Sequence, residues 1–598
     1  MHGGRLKGDM GMNELLRISF KKMGYDYDHL TDISKSRYGP GYLFKGETEL
    51  CLALKDIRAR KDRIVVLPDF DMDGISAGAV LFSGLSLLGF RVSLYQPVPN
   101  NGYGFKQDDI DTIMRRWPDV KAILTCDVGI AADFAISYAM SYGIRVLVTD
   151  HHVEKPGKRV DAEAVMDPCR YDETAEFTGV CGAWVAWHLI TTFASLSGNS
   201  LQQELCRKLV LFVGLGSCGD LMPMIHDTRQ AVLASTAEFS KLMAADDLSA
   251  YFGCDAAALP EAYSAPFDNM KAFHAFLAGF GKADDKAVTD EDYSFLYCPM
   301  FNSVRRMGQQ MDNVYAMLYQ RHVWNSLDRL TLFRWLYDLN DARKKTVAAL
   351  YAQLENDSRQ ALAPYIYLVD AVPGVLGLLA AKLMDRFGRP CLVLRPEPAK
   401  HGYSGSGRVP HWMDKGAMLD VKGVTHDGHD RAFGVFVPES SLMGVWNSMD
   451  ARYVSEFNRH TAERGSVPDK RTTVCIGGHA ACGDYDFSVT SVDDFDTCMD
   501  YAMEVRKFRP FGTDFPEPSF VLKFLKSDII GARKMGSDNT HARLSFDTNF
   551  QAVWFGGAHF LDEIESDGPG TAYALEGKFG VNTFNGSTSL QFMISGRA

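Results

Sequence analysis

Asp69, Asp71 and Asp73 stand two residues apart in IVVLPDFDMDGISAG, where an apolar run should leave a strand and enter a loop. Three carboxylates that close repel one another unless a cation neutralises them. Further acids end later apolar runs. These are Asp127 in AILTCDVGI, Asp150 in VLVTDHHVE with His151 and His152 directly behind it, and Asp220 in LVLFVGLGSCGDLMPM. Carboxylates and imidazoles converging from successive strand ends suit a di-metal phosphoesterase, in which two cations clamp the attacking and leaving oxygens. Imidazole mixed with carboxylate suits manganese, and also zinc or iron, whereas magnesium prefers oxygen alone.

Two plainer readings compete. The D-x-D-x-D-G string also opens a calcium-binding EF-hand loop, but that loop needs an acid at its twelfth position, which here is Val80, and it follows a helix rather than a strand. A solvated acidic turn would explain the first string alone, but not the later acids. A lone histidine pair is usually structural; at a strand end, one βα unit after Asp127, ligand duty fits better.

The elements needed to position these residues are legible. Between residues 61 and 225, RIVVLPDF, RVSLYQPV, KAILTCD and RVLVTD read as strands. GAVLFSGLSLLG, DDIDTIMRRW and AADFAISYAMSYG read as helices between them. This alternation predicts a parallel α/β sheet, whose ligands bind at the carboxyl ends of its strands. Residues 1–60 read as a peripheral helical segment and 226–360 as a helical connector ending in one long helix over 331–360. A second α/β unit is expected over 361–505, then a Pro/Gly linker, PFGTDFPEP (510–518). A strand-rich tail over 519–598 predicts a small β-barrel.

With 598 residues, several domains are expected. The net charge of −12 means that any nucleic-acid contact must rest on local basic patches. Twelve cysteines without zinc-type spacing read as reduced thiols of a cytoplasmic protein. The first residues lack a signal-peptide core, and the longest uncharged stretch, Gly74 to Phe90, is too short and glycine-rich to span a membrane.

DFDMDG, TCDVGI, TDHH and GLGSCGD, in that order, resemble the four motifs of the DHH phosphoesterase family. MFNSVRRM (300–307) resembles the P-x-x-N-x-x-x-R-M segment of its RecJ-like exonucleases. VPGVLGLLAAKLMDRFGRP (372–390), SGSGR (404–408) and GGHAACG (477–483) resemble their DHHA1 domain. PFGTDFPEP resembles their linker, and GKFGVNTFNGSTSLQFMI (577–594) the hairpins of their OB-fold. The resemblance implies a metal-dependent exonuclease on single-stranded DNA, running 5′ to 3′. It also implies two Mn²⁺ ions, with Mg²⁺ as the alternative, on Asp69, Asp71, Asp127, His151 and Asp220, Asp127 bridging. Asp73 and His152 would position water or phosphate. Asn302, Arg306, Ser406, Arg408 and His479 would grip the strand, and the OB-fold would guide it by stacking and charge. The expected partners are the DNA and a single-strand-binding protein, with the chain a monomer and no membrane attachment.

Departures from the family bear on these roles. Val65 stands where many DHH nucleotidases have a histidine, an absence shared by RecJ-like enzymes. VPNNGYG (98–104) has Asn100 and Asn101 where an arginine usually precedes G-Y-G, so one phosphate contact is expected to be lost or moved. Arg343-Lys344-Lys345 and Arg506-Lys507-Arg509 read as solvated faces. Trp554, Phe555, Phe579 and Phe584 read mostly as core. Two rival functions remain: a phosphodiesterase for short oligonucleotides or cyclic dinucleotides, which has no use for an OB-fold, and a non-catalytic DNA-binding scaffold, which should have lost its ligands.

Overall fold

The apolar runs that end in acids form β1 (Arg63–Pro68), β2 (Arg91–Leu94), β3 (Val120–Cys126), β4 (Arg145–Thr149) and β5 (Ala164–Met166). All pair in parallel, in the order β2-β1-β3-β4-β5. The computed structural model describes residues 13–598 apart from 39–40, 97–103, 155–156, 158–159, 285, 310, 320–325, 357–361, 429–430, 465–468, 480–485, 537–538 and 585–586. These residues form two compact units. One comprises Arg37–Met222 and Gln230–Ser466; the other comprises the chain up to Ser36, Pro223–Arg229 and Val467–Ala598.

In the first unit, one face of the sheet buries Val65, Leu67, Ile123, Val146 and Val148 against Ile110, Ile113 and Ile136. The Met72–Leu87 helix is buried on nearly every side, because the Gly182–Ser195 and Val210–Gly219 helices pack against it. That burial explains its all-round apolar composition. The connector is helical, with Glu261–Gly279, Cys298–Arg306 and Ser326–Asn356 its principal elements near the site. Next come β6 (Ile366–Leu368), β7 (Cys391–Glu397), β8 (Gly402–Arg408), β9 (Thr425–Gly428) and β10 (Ala432–Pro438), in the order β6-β7-β8-β10-β9. The Pro373–Phe387 helix packs on β7 and β8.

The second unit is one mixed eight-stranded sheet. Its strands are β11 (Thr472–Ile476), β12 (Phe487–Val489), β13 (Phe520–Leu525), β14 (Gly531–Met535), β15 (His541–Ser545), β16 (Phe550–Trp554), β17 (Ala572–Phe584) and β18 (Ser587–Arg597). The order is β12-β11-β13-β17-β18-β16-β15-β14. The expected boundary near residue 505 therefore moves to 467: β11 pairs in parallel with both β12 and β13, which ties residues 472–489 to the tail. The expected N-terminal segment also divides. Leu15, Leu16 and Phe20 of the Glu14–Met23 helix enter the core of this second unit, whereas residues from Arg37 onward belong to the first. The connector gives up Pro223–Arg229, where Met224 N donates to the Thr513 carbonyl at 2.7 Å and the Arg229 guanidinium donates to the Pro510 and Phe508 carbonyls. Among the described residues, no helix is long and apolar enough to cross a membrane.

Phe520 on β13 is fully buried, with edge contacts to Tyr501 and Phe579. Because β13 joins the early strands to the tail, Phe520→Ala is expected to cost about 3–5 kcal/mol in the unfolding transition of this unit, read by chemical denaturation. For the same reason, removing 519–598 takes out six of the eight strands, so the tail is better tested by point substitutions than by deletion.

Candidate metal centre and phosphate cleft

Three backbone hydrogen bonds carry the strand pairing one residue beyond the strands. Asp69 N donates to the Cys126 carbonyl, Asp127 N to Thr149 (both 3.1 Å) and Asp150 N to Met166 (3.2 Å). The acids after β1, β3 and β4 are thereby held at one sheet edge. Asp71 caps the Met72–Leu87 helix, its Oδ1 accepting from the Asp73 and Gly74 amides. Asp73, in the first turn, reaches across to another helix start: its oxygens accept from Gly182 N at 2.6 Å and Ala183 N at 3.0 Å. An N-terminal turn supplies unpaired amides and a positive dipole end, which stabilise this buried carboxylate. Asp220 does not end a strand. It follows the Val210–Gly219 helix, whose glycines let it press against its neighbours; a Cβ on Gly216 would lie 2.3 Å from Asp73 Oδ1.

His151 stands at the centre. Its Nε2 is 3.1 Å from Asp127 Oδ1, 3.6 Å from Asp73 Oδ2 and 3.7 Å from Asp220 Oδ2. Its Nδ1 is 3.1 Å from the Val180 carbonyl, which can only accept, so Nδ1 carries the proton and Nε2 presents a lone pair. Asp127 Oδ1 is buried without a hydrogen-bond partner. Two lone-pair atoms therefore face each other, an arrangement that a cation between them reconciles. Three groups of side chains bring one ligand atom each within 4.8 Å of one another: Asp127, His151 and His152; Asp73, His151 and Asp220; and Asp69, Asp71 and Asp127. Asp127 and His151 each belong to two of them. The donor set fits one or two divalent ions.

Asp150 plays a different part. It accepts from the amides of Ile130, His151 and His152 and from His152 Nδ1 at 2.8 Å, which saturates the carboxylate and fixes the His152 ring. Such an outer partner orients the groups that face a metal.

The acids carry the electrostatic cost of convergence. Burial raises the carboxyls of Asp69 and Asp127, and neighbouring acids add to it. Burial also raises Asp73, against the pull of His151. Asp220 is pushed up to about 8 by burial and by the charges of Asp73 and Asp71. Burial lowers His151 and keeps its ring neutral. Burial would also lower His152, but its hydrogen bond and charge pairing with Asp150, helped by Asp220 and Asp69, raise it to about 9.

Beside this cluster lies a cleft of about 590 Å³, lined by Asp71, Asn302, Arg305, Arg306, Ser406 and Arg408 together with the start of the Pro373–Phe387 helix. Arg306 ends the Cys298–Arg306 helix and Arg408 ends β8. The two walls meet because Gly374 sits where a Cβ would be 2.4 Å from Arg306 Cα. Gly377, one turn on, leaves room for Arg408; a Cβ there would lie 2.9 Å from its guanidinium. Arg408 donates to Ser406 Oγ at 3.0 Å. Burial lowers Arg306 to about 10, and the charges of Arg343, Arg408 and Arg305 add to the shift. Among the described residues neither Arg306 nor Arg408 is ion-paired with a carboxylate, an arrangement that favours a bound anion.

Comparison with known proteins fits this geometry. The model of the DHH family, N-terminal domain, matches residues 63–216, and that of the RecJ OB domain matches 491–596. The RecJ single-stranded-DNA-specific exonuclease of Salmonella typhimurium is 26% identical over 571 residues, covering 89% of this chain and 86% of that protein. Its Bacillus subtilis counterpart is 24% identical over 577 residues, covering 94% of this chain; the chain spans 64% of that relative's length. The crystal structure of RecJ with Mn²⁺ from Thermus thermophilus superposes with a TM-score of 0.67 at 18% identity, covering 97% of this chain and 74% of that one. A second manganese-bound RecJ exonuclease gives a TM-score of 0.53 at 21% identity, over 69% of this chain and 95% of its own. The chain carries a DHH-family domain and a RecJ-type OB domain and resembles RecJ proteins over most of its length.

Within this RecJ-like chain, the structure brings eleven of the singled-out residues into the acid cluster and its adjoining cleft: Asp69, Asp71, Asp73, Asp127, His151, His152, Asp220, Asn302, Arg306, Ser406 and Arg408. His479 belongs to the second unit, on the turn after β11, with its Nε2 2.9 Å from Asp528 Oδ1. Asn100, Asn101 and residues 480–483 lie outside the described residues. Sequence reasoning missed Arg305, the saturating role of Asp150, and the Gly182 and Ala183 amides. It also read Arg343 as solvated. Arg343 is half-buried, and its charge reaches Arg306. Phe579 is buried and Phe555 exposed; the Phe584 side chain is outside the description.

The raised carboxyls set a pH dependence. A group with a folded pKa above its unfolded value holds its proton more tightly when folded, so stability falls as pH rises between the two. For Asp220 that window runs from 3.8 to about 8. The metal-free chain is therefore expected to lose thermal stability from pH 5 to pH 8, and Mn²⁺ to restore more of it at pH 8 than at pH 5, measured by scanning calorimetry. Asp127→Asn replaces an unpartnered acceptor with a group that can donate to His151 Nε2. It should stabilise the metal-free chain by about 1–2 kcal/mol, the usual sign of a site strained for function, while losing the Mn²⁺-dependent gain.

Proposed function

We propose that this chain is an exonuclease of single-stranded DNA that works 5′ to 3′ with two Mn²⁺ ions, Mg²⁺ being the alternative. The observation that carries the reading is the shared wall: Asp71 belongs both to the acid cluster and to the arginine-lined cleft. A phosphodiester held by the arginines would then lie beside the ions. The relatives' names support the substrate, since they are called single-stranded-DNA-specific exonucleases. Solved RecJ structures support the ions: the Thermus thermophilus protein has been crystallised with Mn²⁺ and with Mg²⁺, the latter at a TM-score of 0.63.

In this reading Asp69, Asp71, Asp127, His151 and Asp220 hold the ions, and Asp73 aligns them from its place on the Gly182 and Ala183 amides. Bound ions would supply a nucleophile at neutral pH and charge stabilisation on the phosphate. The chain's own residues do the rest. Arg306 and Arg408 hold phosphate oxygens, Ser406 donates its hydroxyl, and Asn302 lines the approach. His152, protonated below about 9, keeps Nδ1–H on Asp150 and offers its other ring N–H to phosphate or water. A cytoplasmic monomer, partnered on long strands by a single-strand-binding protein, completes the reading, and size-exclusion chromatography with and without such a protein checks it.

The test is a length series of single strands in Mn²⁺, labelled at the 3′ end and compared with duplex. The expected result is stepwise loss of mononucleotides from long strands, absent in Asp127→Ala. Cleavage restricted to di- to tetranucleotides would favour the short-oligonucleotide phosphodiesterase. Arg408→Ala should lower kcat/KM by about 10- to 150-fold with Mn²⁺ content unchanged, the loss expected for one charge-assisted phosphate contact.

A further inference from the structure

Arg305 and Arg306 are consecutive on the last turn of the Cys298–Arg306 helix, so their side chains diverge by about 100°. Arg306 turns to the Pro373–Phe387 helix and to Arg408. Arg305 turns to the loop that carries Asp69 and Asp71. Its guanidinium carbon sits 3.7 Å from the ring centroid of Phe70, the residue between those two acids. Stacking occupies one face of the guanidinium and leaves its N–H edge open. The charges of Asp69 and Asp71 act on it, yet among the described residues Arg305 makes no ion pair or hydrogen bond with either acid. It is also exposed, whereas Arg306 and Arg408 are half-buried, and it lines the cleft beside Asp71.

We propose that Arg305, seated over the Phe70 ring, contacts the phosphate at the junction of the acid cluster and the arginine cleft, and so sets the position of the scissile bond. This rests on the nuclease reading above and adds a residue to it. An arginine beside two acids, paired with neither, has its donors free for another anion. Cations held by Asp69 and Asp71 would weaken the acids' pull on it and leave the phosphate oxygens as its natural acceptors. Phe70 offers a firm seat for the guanidinium, because the ring itself is buried, at 3% exposure.

Arg305→Met keeps contact with Phe70 and removes the charge; Arg305→Lys keeps the charge and removes the fork. Mn²⁺ affinity is read by electron paramagnetic resonance, strand binding by anisotropy of a phosphorothioate-linked single strand in Mn²⁺, and turnover on the normal strand. Arg305→Met should bind Mn²⁺ as tightly as wild type or more so, since a competing cation is gone. It should bind the phosphorothioate strand about tenfold more weakly and lower kcat/KM about 10- to 100-fold, with Arg305→Lys recovering part of the loss. Phe70→Leu should fall between. Strand binding and turnover within about twofold of wild type overturn the proposal. So does a parallel loss of Mn²⁺ affinity and turnover, which would make Arg305 a support for the acid loop. If the wild type cleaves no strand, the nuclease reading fails on its own. The binding comparison then still decides Arg305, and an unchanged affinity in Arg305→Met overturns it.

Discussion

Mutual repulsion among buried carboxylates is the constraint around which the first unit is arranged. Asp69, Asp73 and Asp127 are almost without solvent, and Asp71 and Asp220 stand against them. Nothing in a protein interior favours gathering such charges unless something positive completes them. The fold supplies part of the compensation itself: a helix start donates two amides to Asp73, and Asp71 takes two from its own helix. Asp150 is satisfied by three amides and an imidazole. Asp127 is left with a bare oxygen facing a bare nitrogen, and its left-handed backbone, at φ 60°, adds local strain. The unsatisfied residue is the one that would bridge two ions.

The second charge concentration has the opposite sign and lies next to the first. Arg305, Arg306, Arg343 and Arg408 come from three elements that meet because glycines at 374 and 377 permit close approach. In a chain of net charge −12, these four arginines form a local concentration of positive charge. Opposite fields separated by one shared residue suit a substrate whose phosphate must be gripped and attacked at adjacent positions.

Much of this was legible because strand periodicity and acid placement report the same edge. Asp69, Asp127 and Asp150 each follow an apolar run short enough to be only a strand, and parallel pairing brings their ends together. Asp220 was found for the wrong structural reason. The run before it is as apolar as a buried strand, and only its packing against the Met72–Leu87 helix identifies it as a helix. Residues 472–489 were assigned to the wrong unit, because nothing in a short strand reveals which distant strand it pairs with. Arg305 was invisible beside Arg306, since its significance comes from Phe70, more than two hundred residues earlier, and no spacing encodes that contact.

The central claim, that Asp127 joins two cation sites in one acid cluster, is tested most directly by anomalous diffraction at the manganese edge from crystals soaked in Mn²⁺. The account predicts two anomalous peaks that share Asp127 as a ligand, one also held by Asp69 and Asp71 and the other by His151. No peak within the cluster, or a single peak without Asp127 among its ligands, would contradict it.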